Sequence, residues 1–253
     1  LNYEIRMPNY LKNNKEEINF FKNLQPDLVI VVAYGQIIPR EYLDLSKHGF
    51  INIHASILPK WRGAAPIQRS LINSDSETGI SIMKISEKLD EGPVCRKFPI
   101  KINENENAEE LSLRLSNLAA EKILDCLDDI FDENLEFVEQ DHSKATYAKK
   151  IDKIEGKIDW NLTAEKILAK INGLYPFPGA WFTFKGERYK ILKAEISSVS
   201  GKQGLILSDN FEIGCSSKSI KVLQIQREGK KAQSIKEFSL GTQLKKGSDL
   251  TNV

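Results

Sequence analysis

Residues 50–92 read FINIHASILPKWRGAAPIQRSLINSDSETGISIMKISEKLDEG, and the reading of this stretch decides how the chain is arranged. Phe50 to Ile53 forms an apolar strand. Side chains two apart in a strand share a face, so Asn52 and His54 emerge together at its C-terminal end. A Ser56-Ile57-Leu58-Pro59 turn follows, then the loop Trp61-Arg62-Gly63-Ala64-Ala65-Pro66 and a short helix from about Ile67 to Asn73. A second strand, Gly79 to Ile85, carries the chain back to the loop Leu89-Asp90-Glu91-Gly92. An amide, an imidazole and a carboxylate therefore lie at strand ends or in the loops beyond them, where open α/β sheets bind ligands.

Upstream, apolar residues among charges predict an amphipathic helix over 14–23. Leu28 to Ala33 is an uninterrupted apolar run, as expected of a parallel strand covered on both faces. Pro39 to Leu45 reads as a short helix. Downstream, Val94 to Ile102 is a strand, and the leucine spacing over 105–131 predicts a long helix with those leucines in a core. Thr163 is the expected N-cap of a helix over 163–172. Beyond Pro176 the pattern changes to short alternating runs broken by glycines: Ala180 to Phe184, Glu187 to Glu195, Gly204 to Leu207, Glu212 to Gly214 and Ser219 to Gln226. Such runs predict a small all-β barrel.

A chain of 253 residues accommodates one large or two modest domains. Its near-neutral charge conceals an asymmetry: 19 basic against 24 acidic side chains in residues 1–150, and 17 against 11 in residues 151–253. A basic second half suits a polyanionic partner, although a solvated lysine-rich surface has the same composition. Cys95, Cys126 and Cys215 are far apart and form no C-x-x-C pair, which predicts neither a disulfide framework nor a zinc site. No apolar run reaches the length of a bilayer span, and no cationic start precedes an apolar signal core, so a cytoplasmic protein without a membrane partner is expected.

The order N-x-H (Asn52, His54), S-I-L-P (Ser56 to Pro59), R-G-A-A-P-I-Q (Arg62 to Gln68) and L-D-x-G (Leu89 to Gly92) resembles the methionyl-tRNA formyltransferases. N-x-H and L-D-x-G are shared with folate-dependent formyltransferases acting on small amines; the R-G-A-A-P-I-Q run narrows the resemblance. It implies a Rossmann-like α/β catalytic domain with a mostly parallel sheet over 1–144, then a linker and a small OB-like β-barrel over 145–253. The first strands of that sheet, and a loop that helps seat the tRNA acceptor end, are expected to be missing, since the chain opens at Leu1 with no glycine-rich turn. The implied reaction moves the formyl group of 10-formyltetrahydrofolate to the amine of methionyl initiator tRNA, in a monomer that needs no metal.

The resemblance gives Asn52, His54 and Asp90 the catalytic roles and places Ser56, Ile57, Leu58 and Pro59 at the folate. An amide and an imidazole can donate to an oxyanion, and a carboxylate can hold the imidazole and relay a proton. Trp61 beside Arg62 suits an exposed tRNA end, with a packed loop closed by Trp61 as the competing reading; Arg62, Lys149, Lys150, Arg188, Lys230 and Lys231 are the expected tRNA contacts. His48 and His142 stand outside the motifs and read as structural hydrogen-bonding groups. Two departures from the family pattern are Ala55, where many relatives carry Gly, and Glu91, where Thr is common and a solvent-facing side chain is expected. The competing readings are a formyltransferase for an amino sugar or other small amine and a non-catalytic, truncated tRNA-binding remnant.

Overall fold

The computed structural model describes residues 3–251; Leu1, Asn2, Asn252 and Val253, and with them the abrupt start at Leu1, lie outside the described residues. The chain forms two compact units. One comprises Leu1–Pro66, Thr78–Ile100 and Leu115–Ala148, the other Ile67–Glu77, Lys101–Arg114 and Lys149–Val253.

In chain order the elements up to residue 148 are α1 (Lys15–Leu24), β1 (Val29–Val31), α2 (Arg40–Leu43), β2 (Phe50–His54), β3 (Arg62–Gly63), α3 (Pro66–Ile72), β4 (Glu77–Lys84), β5 (Val94–Lys101), α4 (Ala108–Phe131) and β6 (Tyr147–Ala148). The Asn14 side chain caps α1 by accepting from the Glu17 amide, and Glu16 and Glu17 in the first turn complement the positive end of the helix. Phe21 anchors α1 by stacking on Phe50 at 5.7 Å and meeting the edge of Tyr42 at 5.6 Å.

The strands run in the order β1-β2-β4-β5. β1 and β2 are parallel, with Val31 opposite Asn52. β2 and β4 are antiparallel, with Asn52 opposite Met83 and His54 opposite Ser81. The sheet is thus mixed where a mostly parallel one was expected. β4, buried from Thr78 to Met83, has the continuous burial anticipated for β1. β1 instead lies at the edge, with Ile30 42 % exposed and Val32, just past its end, 58 % exposed. At the near end of β4 and β5, the Lys84 amide donates to the Pro93 carbonyl. The segment between them carries Asp90.

The second unit continues with α5 (Ala164–Gly173), β7 (Ala180–Phe184), β8 (Glu187–Ser197), β9 (Glu212–Gly214), β10 (Ser219–Arg227), β11 (Gln233–Ser234) and α6 (Ile235–Ser239). Thr163 caps α5 as expected. The sheet is antiparallel in the order β11-β10-β8-β7, with β9 on β10. The expected strand over 204–207 forms only isolated bridges, Leu205 to Asp249 and Ile206 to Ile213. A file of rings runs through this core: Trp160 to Phe182 (5.9 Å), Phe182 to Tyr189 (5.5 Å), Tyr189 to Phe238 (5.9 Å) and Phe238 to Phe211 (5.9 Å). Aromatic pairs at this spacing stabilise beyond their area burial.

All three cysteines are free and buried. Burial pushes the Cys95 and Cys215 thiols up to about 11 and raises Cys126 as well. The thiolate is the reactive form, so Cys95 and Cys215 are protonated and unreactive at pH 8. Iodoacetamide is therefore expected to label the folded chain slowly and the urea-unfolded chain at the rate of free cysteine; equal rates in both states would contradict this packing. No helix among the described residues is long and apolar enough to cross a membrane.

Candidate active site

β2 ends on His54, 6 % exposed, with one ring nitrogen bonded to a carbonyl and the other facing a carboxylate. Nε2 lies 2.9 Å from the Trp61 carbonyl oxygen, an acceptor only, so Nε2 carries hydrogen and donates. Nδ1 lies 3.6 Å from Asp90 Oδ2. The same carboxylate oxygen accepts from the Gly63 amide at 2.8 Å. Asp90 has φ 50°, a left-handed conformation that aspartate tolerates better than most residues. Asn52 is half-buried and, two residues before His54, shares its face of β2.

Two motif glycines hold these groups close. Gly63 has φ 120°, and a Cβ there would lie 2.8 Å from the Ala148 carbonyl oxygen on β6. A Cβ on Gly92 would lie 1.9 Å from the Lys84 carbonyl oxygen, so any side chain at 92 would push the Asp90 segment off the end of β4. The glycines of R-G and L-D-x-G are thus required by backbone approach.

The Ser56–Pro59 turn is tied to β4 through Ser81, the register partner of His54. Ser81 Oγ donates to the Ser56 carbonyl at 2.7 Å and accepts from the Leu58 amide at 3.0 Å. The Ser56 hydroxyl donates to the Lys60 carbonyl. Leu58 is fully buried with Met83 and Val94. The side chains of Ser56 and Leu58 therefore build the turn, and only Ile57 and Pro59 are half-exposed.

Arg62 is a correction. Expected at a tRNA surface, it is 1 % exposed and cannot meet nucleic acid in this conformation. Its guanidinium bonds Gln140 Oε1 from Nε (3.1 Å) and Nη2 (2.8 Å). It also approaches His142 Nδ1 (3.2 Å) and Glu91 Oε1 (3.5 Å). Gln140 and Ser81 are the residues that sequence reasoning missed. The partners of Gln140 lie 48 to 78 residues away, so no local pattern reveals it.

In the second unit Lys149, Lys150, Lys230 and Lys231 are exposed, and Arg188 is half-exposed. Arg69 grips the carbonyls of Lys149 and Lys150 and ion-pairs with Glu155, which fixes the backbone that presents those two lysines. The Arg188 guanidinium lies over Trp181, 4.1 Å from the ring centroid. Lys153 and Lys190 lie over Phe177 at 6.0 and 5.8 Å. These side chains line a recess of about 250 Å3 together with Gln226, Glu228 and Gly229. Among the described residues, no group of three or more His, Cys, Asp or Glu is placed to hold a metal ion.

The formyl transferase family model matches residues 6–127, and the model of the formyl transferase C-terminal domain matches residues 150–243. The methionyl-tRNA formyltransferase of Pelagibacter ubique is 61 % identical over 253 residues, all of this chain and 82 % of that relative. The chain belongs to the methionyl-tRNA formyltransferase family. The enzyme of the same name from Thermodesulfovibrio yellowstonii is 43 % identical over 92 % of this chain and 76 % of its own length. The solved methionyl-tRNA formyltransferase from Clostridium thermocellum shares the fold, with a TM-score of 0.62 and 22 % identity over 73 % of this chain and 80 % of that one.

Against the family pattern, Glu91 is not the solvent-facing replacement for Thr that was expected. It is 23 % exposed and faces Arg62, Lys88 (3.7 Å) and His142 (4.0 Å). Ala55 is half-exposed beside the turn.

Proposed function

We propose that the chain transfers the formyl group of 10-formyltetrahydrofolate to the amine of methionyl initiator tRNA, at a site made by Asn52, His54 and Asp90. The observation that carries the assignment is the approach of His54 and Asp90, 36 positions apart in sequence, to 3.6 Å at the end of β2. The amine attacks the formyl carbon, forming the new C–N bond and an oxyanion. The Asn52 amide and the His54 Nε2–H, held here by the Trp61 carbonyl, are the donors for which that oxygen competes. Collapse breaks the bond to the folate nitrogen. The proton lost by the amine passes to that nitrogen, with Asp90 as its carrier through water. The Ser56–Pro59 turn presents the backbone and the Ile57 and Pro59 side chains to the folate.

Residues 1–144 are assigned to catalysis and 145–253 to a linker and the tRNA-binding domain. Both substrates are water-soluble and one chain supplies all three groups, which supports action in the cytoplasm as a monomer. Purified chain given both substrates is expected to yield formylmethionyl-tRNA and to leave an amino-sugar nucleotide unmodified. Faster transfer to the sugar would replace the reading, and no transfer to either would reduce the chain to a binding remnant.

For tRNA contact the support is the recess of Arg188, Lys190, Lys153 and Phe177, which joins fixed cations to an exposed ring. Cations with aromatic faces suit phosphates and unpaired bases. Arg188→Ala with Lys190→Ala is expected to weaken tRNA binding about tenfold and to flatten its salt dependence by roughly two, leaving folate binding unchanged. Parallel losses for tRNA and folate would remove the recess from tRNA recognition.

A further inference from the structure

Arg62 is a permanent cation taken out of water, a costly placement unless the charge is well partnered. Its closest partner is a neutral amide: Gln140, itself 7 % exposed, gives its only oxygen to two guanidinium nitrogens. That fixes which way the amide points, because the nitrogen then faces two carbonyl oxygens. Gln140 Nε2 donates to Asp90 O at 2.9 Å and to Gly92 O at 2.7 Å. The neighbouring residue of β3 acts on the other end of the aspartate: the Gly63 amide holds Asp90 Oδ2. Two consecutive residues thus grip Asp90, one at its carboxylate and one, through Gln140, at its main chain. A residue at φ 50° needs such support to stay in place.

We propose that Arg62 and Gln140 are positioning residues for formyl transfer, a buried latch that keeps the Asp90 carboxylate against His54. This rests on the catalytic reading of Asp90 given above. Neither side chain touches substrate; both act through the segment Asp90 to Gly92.

Gln140→Glu tests the latch. It keeps an oxygen for Arg62, so the buried cation stays paired, but it sets a carboxylate oxygen against the Asp90 and Gly92 carbonyls. Turnover is expected to fall about ten- to a hundredfold, the penalty of a roughly 1 Å misplacement. KM for both substrates should change less than about twofold. In an Asp90→Ala background the same substitution should cost nothing further, because what it positions is gone. Independently of activity, hydrogen exchange at the Gly63 amide should accelerate about tenfold while β2 and β4 amides keep their protection. Wild-type turnover, additive losses in the double variant, or an unchanged Gly63 amide would each overturn the proposal. Should Gln140→Glu fail to fold, Gln140→Met, which leaves Arg62 with His142 and Glu91, is read by the same measurements. Loss of protection at Gly63 without any formyl transfer in the parent chain would keep the latch and discard the reaction.

Discussion

Asp90→Asn is expected to lower single-turnover formyl transfer about 10²- to 10⁴-fold, the range for removing a general acid–base group, with a melting temperature close to that of the parent. The substitution is unusually clean. Asparagine tolerates the left-handed φ of 50° about as well as aspartate. Its side-chain oxygen can still accept from the Gly63 amide. What it lacks is the charge beside His54 Nδ1 and the ability to take up a proton. The loss should therefore appear in the chemical step with little change in KM for either substrate. Turnover near that of the parent enzyme would remove Asp90 from the reaction, whatever its distance to His54.

Asn52→Ala is expected to cost about 10²- to 10³-fold in turnover, the usual penalty for deleting one oxyanion donor. The site is half-buried at the end of β2 and faces Met83 across the ladder, so truncation leaves the pairing intact. Asn52→Asp separates chemistry from packing. It preserves volume better than alanine, yet puts a negative charge where the formyl oxygen acquires its own. If Asn52 serves as a donor, aspartate must be the worse of the two. Aspartate outperforming alanine would mean that the position needs bulk rather than an N–H.

What could be read from the sequence was local. The two-residue spacing that puts Asn52 and His54 on one face of β2, and the Thr163 cap of α5, depend on neighbours within a few positions, and the structure has both. The misreadings share a cause in partners distant along the chain. Arg62 beside a tryptophan looks like a nucleic-acid contact until Gln140, 78 positions on, is seen to enclose it. Glu91 looks solvated until Arg62 is found 3.5 Å away. The apolar run over 28–33 signals burial on two faces, but the face that carries Ile30 and Val32 is exposed, and what covers a face is set by elements distant in the chain. The run over 204–207 alternates like a strand and finds only bridge partners. The mixed direction of the sheet likewise depends on which strand lies beside β2, which no periodicity specifies.

The pairing of β2 with β4 sets a condition on heredity. Asn52 and His54 are both even-numbered steps along one pleated ribbon, and the pleat distinguishes only even from odd. Deleting or inserting a single codon between Phe50 and Asn52 would rotate both polar groups to the far side together. A frame-preserving indel there is accordingly all-or-none, whereas point changes at Ile51 or Ile53 can be graded by size.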